Sequence, residues 1–164
     1  MVHMACQVIT CSLPQVPLDP VFEGDWSTAD AGSVLGYASL AAAAGYGVHG
    51  PLVDAIGVRY GALVGFMFAL LGLGSGVRFF ASATCRSALF VGAMIVRFCY
   101  AAGWPAEIKL VRQALPEKQQ ALAISMLGFG SRSGAIMGRC IFGLLLRFFS
   151  WRQVAKLVAA ALLF

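Results

Sequence analysis

The sequence has little charge, no asparagine, and no lysine or arginine before Arg59. Only 12% of its 164 residues are charged, whereas 60% are hydrophobic and the mean hydropathy is +0.82. A soluble domain normally carries about twice that charged fraction. A very apolar soluble helical protein is the alternative interpretation, but four apolar stretches approach the ~20 residues that a helix needs to cross a bilayer. The composition therefore favours an all-α membrane protein.

Residue types that mark other functions are scarce. Without asparagine there is no N-glycosylation sequon. The cysteines are odd in number, scattered and without C-x-x-C spacing, so neither a zinc site nor a disulfide framework is indicated. No Ser-His-Asp or Cys-His arrangement stands out, and no basic run interleaved with aromatic residues suggests nucleic-acid binding. We therefore predict no enzymatic activity, no metal or cofactor, and no nucleic-acid partner.

The charges that are present are unevenly distributed. Four of the seven acidic residues lie within residues 1–30, and beyond residue 30 the chain has 12 basic residues against 3 acidic ones. The basic residues of the predicted loops are equally divided between the two sides of the membrane. The N-terminal region, which has no Lys or Arg, decides the orientation and is predicted outside, with Arg59 and Lys118 in the cytoplasm. The basic surplus indicates contact with lipid headgroups, basic cytoplasmic loops or an anionic cargo.

The chain divides into two parts. Residues 1–26 contain Pro14, Pro17 and Pro20 but no signal-peptide pattern, and they are predicted to form an irregular N-terminal tail. Residues 27–164 are predicted to form a partial transmembrane helical domain, in which glycines spaced by four residues allow close helix contact. The predicted spans are about 31–53, 58–80, 88–112 and 119–146, with the start of a fifth at 153–164.

A short charged hinge, residues 50–60, separates the first two predicted spans. Its sequence carries Gly50, Leu52, Asp54, Gly57 and Arg59 at the spacing Gly-x-Leu-x-Asp-x-x-Gly-x-Arg. The hinge resembles the signature loop of the major facilitator superfamily, which lies between the second and third membrane helices of each half. Ala55 stands where that family usually has a basic residue.

A second motif supports the same family. The run from Arg97 to Gly103 resembles the fourth-helix motif, whose Arg is associated with substrate or proton coupling. The continuation through Trp104 and Pro105, and the glycine-rich run from Gly128 to Gly138, are similar to the branch that carries organic anions and phosphate esters. The resemblance covers residues 26–164.

The resemblance implies a particular architecture. It implies a partial six-helix half-bundle, comprising about helices 2 to 5 and the start of helix 6 of a twelve-helix fold. A first helix is not expected in residues 1–26, so the chain is expected to be a fragment that lacks the remainder of the transporter as a partner.

Arginines in predicted spans point to an anion site. Arg97 and Arg132 lie near mid-span, where a charge costs about 2.5–3.5 kcal/mol, so each should face the interior or a cavity. Arg132 and Arg139 share one helical face, and a guanidinium group suits carboxylate and phosphate. The alternative is that each arginine satisfies backbone carbonyls or pairs inside the fold. The predicted substrate-binding residues are Arg97, Arg132, Arg139, Tyr100 and Trp104.

Glu107 is predicted at the cytoplasmic end of the span 88–112. The resemblance implies that an acid there can pair with Arg59 of the hinge and hold an outward-facing state, and the alternative is an ordinary interfacial ion pair. The predicted gating residues are Gly50, Asp54, Gly57, Arg59 and Glu107. His49 is predicted to be a packing or interfacial residue.

The leading functional hypothesis is a multi-pass integral membrane protein. It would be part of a secondary active transporter that moves a small organic anion across the lipid bilayer by alternating access. The alternative is a truncated, non-transporting membrane protein or interaction partner.

Overall fold

The computed structural model describes residues 2–22, 26–57 and 60–163. Within these ranges the chain is helical and contains no β-strand. Two 3₁₀-helices, Leu13–Leu18 and Pro20–Phe22, follow the first α-helix. The α-helices are α1 (Val2–Ser12), α2 (Thr28–Ala55), α3 (Gly61–Ala81), α4 (Arg86–Tyr100), α5 (Gly103–Ala114), α6 (Glu117–Leu145) and α7 (Trp151–Leu163).

Helix α2 begins and ends where its sequence dictates. At its start the Asp30 backbone N–H donates to Ser27 Oγ (3.2 Å), and the Ser27 backbone N–H donates to the Asp30 carboxylate (2.8 Å). This reciprocal capping satisfies donors that a helix start leaves unpaired. Beyond the other end, Gly57 has φ of 93°, a left-handed conformation that glycine adopts without strain. Residues 50–55 of the predicted hinge therefore continue α2, and the chain leaves the helical conformation at Gly57.

The predicted span 88–112 consists of two helices. A kink near Pro105 is expected from the sequence, and the structure shows it as a break at residues 101–102, one turn earlier. Proline lacks the N–H that would bond the carbonyl four residues back, at Ala101, and its ring clashes with that carbonyl. Pro105 itself lies in the first turn of α5, where backbone donors lack helical partners in any case. Arg97 and Glu107 thus lie on opposite sides of a break.

The prediction of an irregular tail over residues 1–26 is corrected by the structure. Helix α1 packs mainly against α6, and apolar side chains from Ala5 to Phe22 are buried in the main core. Pro14 and Pro17 lie within the 3₁₀-helix Leu13–Leu18. A 3₁₀-helix this short contains few backbone hydrogen bonds, so the missing N–H groups of the two prolines cost little. The N-terminal region therefore contributes a helix, α1, to the bundle, although no helix was expected in residues 1–26.

The packing leaves much apolar surface on the outside. Helices α2 and α3 pack on α4, and α7 packs on α3. Two stretches are long and apolar enough to cross a membrane, Gly61–Ala81 and Arg86–Ala114, yet only 39% and 44% of their apolar windows are buried. The core helix of a soluble protein would be mostly buried, and exposed apolar surface of this extent marks contact with lipid or protein. Helices α2 and α6 are longer, with 28 and 29 residues, but they are not among the stretches apolar enough to cross a membrane.

One glycine shows how closely α2 and α4 approach. A Cβ atom on Gly45 would lie 2.7 Å from the Ala101 Cβ and 2.8 Å from the Phe98 carbonyl oxygen, whereas one on Gly47 would meet no atom within 4 Å. We expect Gly45→Ala to lower the free energy of unfolding by about 1–3 kcal/mol through overpacking. Gly47→Ala, on the same helix, should be neutral or slightly stabilising. Unfolding in detergent measures both, and equal effects would contradict the packing.

Candidate functional site

Polar side chains from four helices meet inside the bundle. We call His3, Arg97, Tyr100, Glu107 and Ser131 the interior cluster. His3 Nδ1 lies 2.5 Å from the Tyr100 hydroxyl and 2.9 Å from Ser131 Oγ. His3 Nε2 lies 3.6 Å from Glu107 Oε2. These contacts join α1 to α4, α5 and α6.

Contacts between α1 and α6 fix the depth of the interior cluster. Ser131 is halfway along α6, and the next polar contact toward its C-terminus is the Arg139 Nε donating to Gln7 Oε1 at 3.1 Å. Residue numbers rise in the same direction along both helices, so α1 and α6 run parallel. The cluster therefore lies at the middle of the bundle rather than at either end.

Arg97 is the cation of the interior cluster. It is half-buried on α4 and within electrostatic range of Cys6, Tyr46 and Tyr100, which are neutral side chains at pH 7. No carboxylate of the described residues lies within ion-pair distance of its guanidinium group. The positive charge is consequently left without a counter-charge in direct contact.

Glu107 is the acid of the interior cluster. It lies on α5 beside His3, in the part of the stretch Arg86–Ala114 that follows the break at residues 101–102. Its Oε2 atom is buried and has no hydrogen-bond partner within the described chain. Arg59, its predicted partner, lies outside the described residues. The contact that the structure does give Glu107 is with His3.

The remaining predicted substrate-binding residues are spread more widely. The Trp104 ring lies edge-on to His3, with 6.5 Å between ring centroids, and Tyr100 is in the interior cluster. Arg139 reaches α1 through Gln7. Arg132 is exposed on α6 and is not brought to Arg97, which differs from its predicted place inside the bundle.

The hinge residues border a cleft at one end of the bundle. The cleft has a volume of about 600 Å³, and Gly50, Asp54, Trp104 and Arg112 are among its lining residues. Lys109 Nζ lies 3.1 Å from the Asp54 carboxylate and donates to the Val53 carbonyl oxygen at 2.7 Å. Asp54 therefore pairs with a lysine on α5, a partner that sequence reasoning did not identify.

Two carboxylates hold the opposite end. The pKa of Asp30 is lowered, chiefly by hydrogen bonds from the Ser27 side chain and backbone, and Arg86 pairs with it. Burial opposes ionisation of Asp19, but hydrogen bonds from Arg152, the Val21 backbone and Trp151 outweigh this effect and lower its pKa. Arg152 also donates to the Ala81 carbonyl oxygen (3.0 Å), so the N-terminal segment is tied to the ends of α3 and α7.

His3 and Asp19 were missed because residues 1–26 were interpreted as a tail. A signal was present in the sequence, since the first 18 residues carry no acidic or basic residue other than His3. An uncharged stretch of that length, broken only by prolines, is compatible with a short first helix. His49, by contrast, is buried and packs between Phe68 and Phe98, with ring centroids 5.1 and 4.7 Å away.

A helical bundle with an apolar exterior and charged side chains gathered inside is typical of an integral membrane protein. The family model described as Major Facilitator Superfamily matches residues 2–164, so the match includes α1. The chain belongs to this superfamily of membrane transporters, which confirms the predicted family. No curated protein and no solved structure matches the chain.

Proposed function

We propose that this chain forms part of a secondary active transporter that moves a small organic anion by alternating access. The chain would cross the membrane several times, with the hinge on the cytoplasmic side. The observation that carries the proposal is the half-buried Arg97 guanidinium group, which has no carboxylate within ion-pair distance among the described residues.

A bound anion would compensate that charge. A buried cation is stable only when it is paired and hydrogen-bonded, and the planar guanidinium fork matches carboxylate and phosphate oxygens. Tyr100 and Trp104 stand close to the same space and would contact the rest of the ligand. Arg132 and Arg139 remain predicted anion contacts on α6; Arg132 is exposed, so it would meet the anion outside the interior cluster.

The ion pairs at the two ends of the bundle suit alternating access. Asp54 and Lys109 join α2 to α5 beside the cleft, and Asp19 and Arg152 join the N-terminal segment to α7 at the other end. In transporters of this kind one group of helices rocks against another around a central site. Each pair would form when its end is closed and separate when that end opens. The proposed gating residues are those of the predicted set: Gly50 and Asp54 on α2, Gly57 and Arg59 after it, and Glu107 on α5.

Uptake into liposomes tests the proposal. The full chain is reconstituted and exposed to radiolabelled glycerol 3-phosphate or to glycerol, which differ mainly in charge. We expect saturable uptake of the anion that unlabelled anion inhibits and glycerol does not, while protein-free liposomes show none. Correctly inserted protein that neither binds nor transports small phosphate esters or carboxylates would contradict the proposal and favour a non-transporting membrane protein.

A further inference from the structure

We propose that a cleft between α3 and α7, at the end of the bundle opposite the hinge, binds the headgroup of one anionic phospholipid. The cleft has a volume of about 320 Å³ and is lined by Arg78, Ser82, Lys156, Ala159, Ala160 and Leu163. Two of these side chains are cations, and no acidic residue of the described chain is among them. The site is separate from the interior cluster, and it requires only that the chain lies in a bilayer.

The two cations of the cleft come from antiparallel helices. Near the start of α7, Arg152 donates to the carbonyl oxygen of the last α3 residue at 3.0 Å. Farther along α7, Leu163 Cγ lies 2.8 Å from the place that a Cβ atom on Gly74 would occupy. Residue numbers therefore fall along α3 as they rise along α7. This direction brings Arg78 and Lys156 to the same level, between the two contacts.

Both cations are exposed, and neither forms an ion pair within the described residues. Asp19 and Asp30, the described acids at this end of the bundle, pair with other arginines. A cation in the last turn of a helix is stabilised by the helix dipole, which accounts for Arg78 on its own. It does not account for Lys156, which lies within α7 and shares the cleft. A bound anion would balance both charges.

The surroundings of the cleft favour a lipid over a soluble anion. Arg78 lies one turn before the end of the membrane-length helix Gly61–Ala81, which is the depth of the lipid phosphates. The same face of α3 continues toward the middle of the helix with Leu71 and Val64, at seven-residue intervals. These side chains are 50% and 44% exposed. A phosphodiester that carries acyl chains therefore matches both the cations and the apolar face beside them.

The hydroxyl group in the cleft bears on the kind of headgroup. Ser82 Oγ donates its hydrogen to the Arg78 carbonyl oxygen at 3.0 Å, so toward a ligand it can only accept. The hydroxyl groups of a glycerol headgroup would donate to it. A choline or ethanolamine headgroup brings a cation of its own, which Arg78 and Lys156 would repel. The cleft therefore suits phosphatidylglycerol better than a zwitterionic phospholipid.

Native mass spectrometry of the full chain, released from detergent micelles, tests the site. The chain is titrated with phosphatidylglycerol or with phosphatidylcholine of the same acyl chains, and bound lipids are counted. We expect the first phosphatidylglycerol to bind roughly tenfold more tightly than phosphatidylcholine. Arg78→Gln and Lys156→Gln should each weaken that binding about fivefold, which is the contribution of one cation beside anionic headgroups.

Arg147→Gln is the matched control for charge. It removes an exposed arginine beyond the end of α6, at the same end of the bundle, and should leave the first lipid bound as in the wild type. Because Arg78 and Lys156 are also exposed, their replacement is not expected to disturb the fold. A double variant, Arg78→Gln with Lys156→Gln, that binds phosphatidylglycerol as tightly as Arg147→Gln would overturn the proposal.

A second measurement separates a lipid site from a site for soluble phosphate. Glycerol 3-phosphate is added in large excess to the chain loaded with phosphatidylglycerol. We expect no displacement, because the soluble ester lacks acyl chains, and displacement would contradict the proposal. Arg97→Gln should keep the preference for phosphatidylglycerol, since Arg97 lies in the interior cluster. Loss of the preference in Arg97→Gln would contradict a separate lipid site, whereas failure of anion transport leaves the expected lipid result unchanged.

Discussion

Replacing Arg97 with glutamine is expected to weaken anion binding by roughly 100-fold. Removing one partner of a buried charge pair typically costs 2–5 kcal/mol, and each 1.4 kcal/mol is a factor of ten. The effect should be large because no second cation of the described chain is placed in the interior cluster beside Arg97. The dissociation constant for glycerol 3-phosphate, measured on the full chain in nanodiscs, checks this prediction.

Two further variants make the Arg97 result specific. Arg97→Lys keeps the charge but loses the planar fork, so we expect an intermediate loss of about tenfold. Arg147→Gln removes an exposed arginine beyond the end of α6 and should leave binding unchanged. An Arg97→Gln protein that binds the anion as tightly as Arg147→Gln would show that Arg97 is only a packing or structural residue.

Asp19→Asn is expected to lower the free energy of unfolding by about 2–3 kcal/mol. The Asp19 carboxylate accepts hydrogen bonds from Arg152 Nε at 2.6 Å and from Trp151 Nε1 at 2.9 Å. Asn keeps only one acceptor oxygen, so either Arg152 and Trp151 or the Val21 backbone N–H faces an amide NH₂ group that cannot accept a hydrogen bond. Denaturant unfolding in detergent at pH 7 measures the change. Asp54→Asn is the matched control, because its side chain is 80% exposed and such pairs contribute under about 1 kcal/mol.

The same substitution predicts a pH dependence. The folded-state pKa of Asp19 lies below its ordinary value of 3.8. A depressed carboxyl pKa stabilises the fold above the unfolded-state value, and this contribution is lost as the pH falls through the folded-state value. The stability advantage of the wild type over Asp19→Asn should therefore be complete at neutral pH, shrink below pH 3.8 and disappear in stronger acid. An advantage that does not change between pH 7 and strong acid would show that the Asp19 charge contributes nothing.

Much of the helical pattern could be predicted from the sequence. The predicted span 31–53 falls within α2, and the predicted span 119–146 overlaps α6 except for its last residue. The capping box at Ser27 and the left-handed Gly57 explain the limits of α2. The kink near Pro105 could be predicted, because proline cannot bond the carbonyl four residues back. The helix at residues 2–12 was not predicted, because the prolines at positions 14, 17 and 20 indicated an irregular segment.

The site was predictable only in part. Because a charge in mid-span is energetically costly, Arg97 was predicted to face the interior, and it lies in the interior cluster. The same reasoning placed Arg132 inside, but it is exposed on α6, because a seven-residue spacing shows which residues share a face and not which face meets a neighbour. The contact of His3 with Glu107 joins residues 104 positions apart, and only the packing of α1 beside α5 and α6 reveals it.

The central claim is that Arg97 faces a water-accessible interior rather than lipid. The direct measurement is cysteine labelling at position 97 with a charged, membrane-impermeant thiol reagent, in a chain whose native cysteines have been replaced. Leu71→Cys, on the exposed apolar face of α3, is the matched lipid-facing control. We predict rapid labelling of Arg97→Cys and little labelling of Leu71→Cys. Position 97 remaining as unreactive as position 71 would contradict the account.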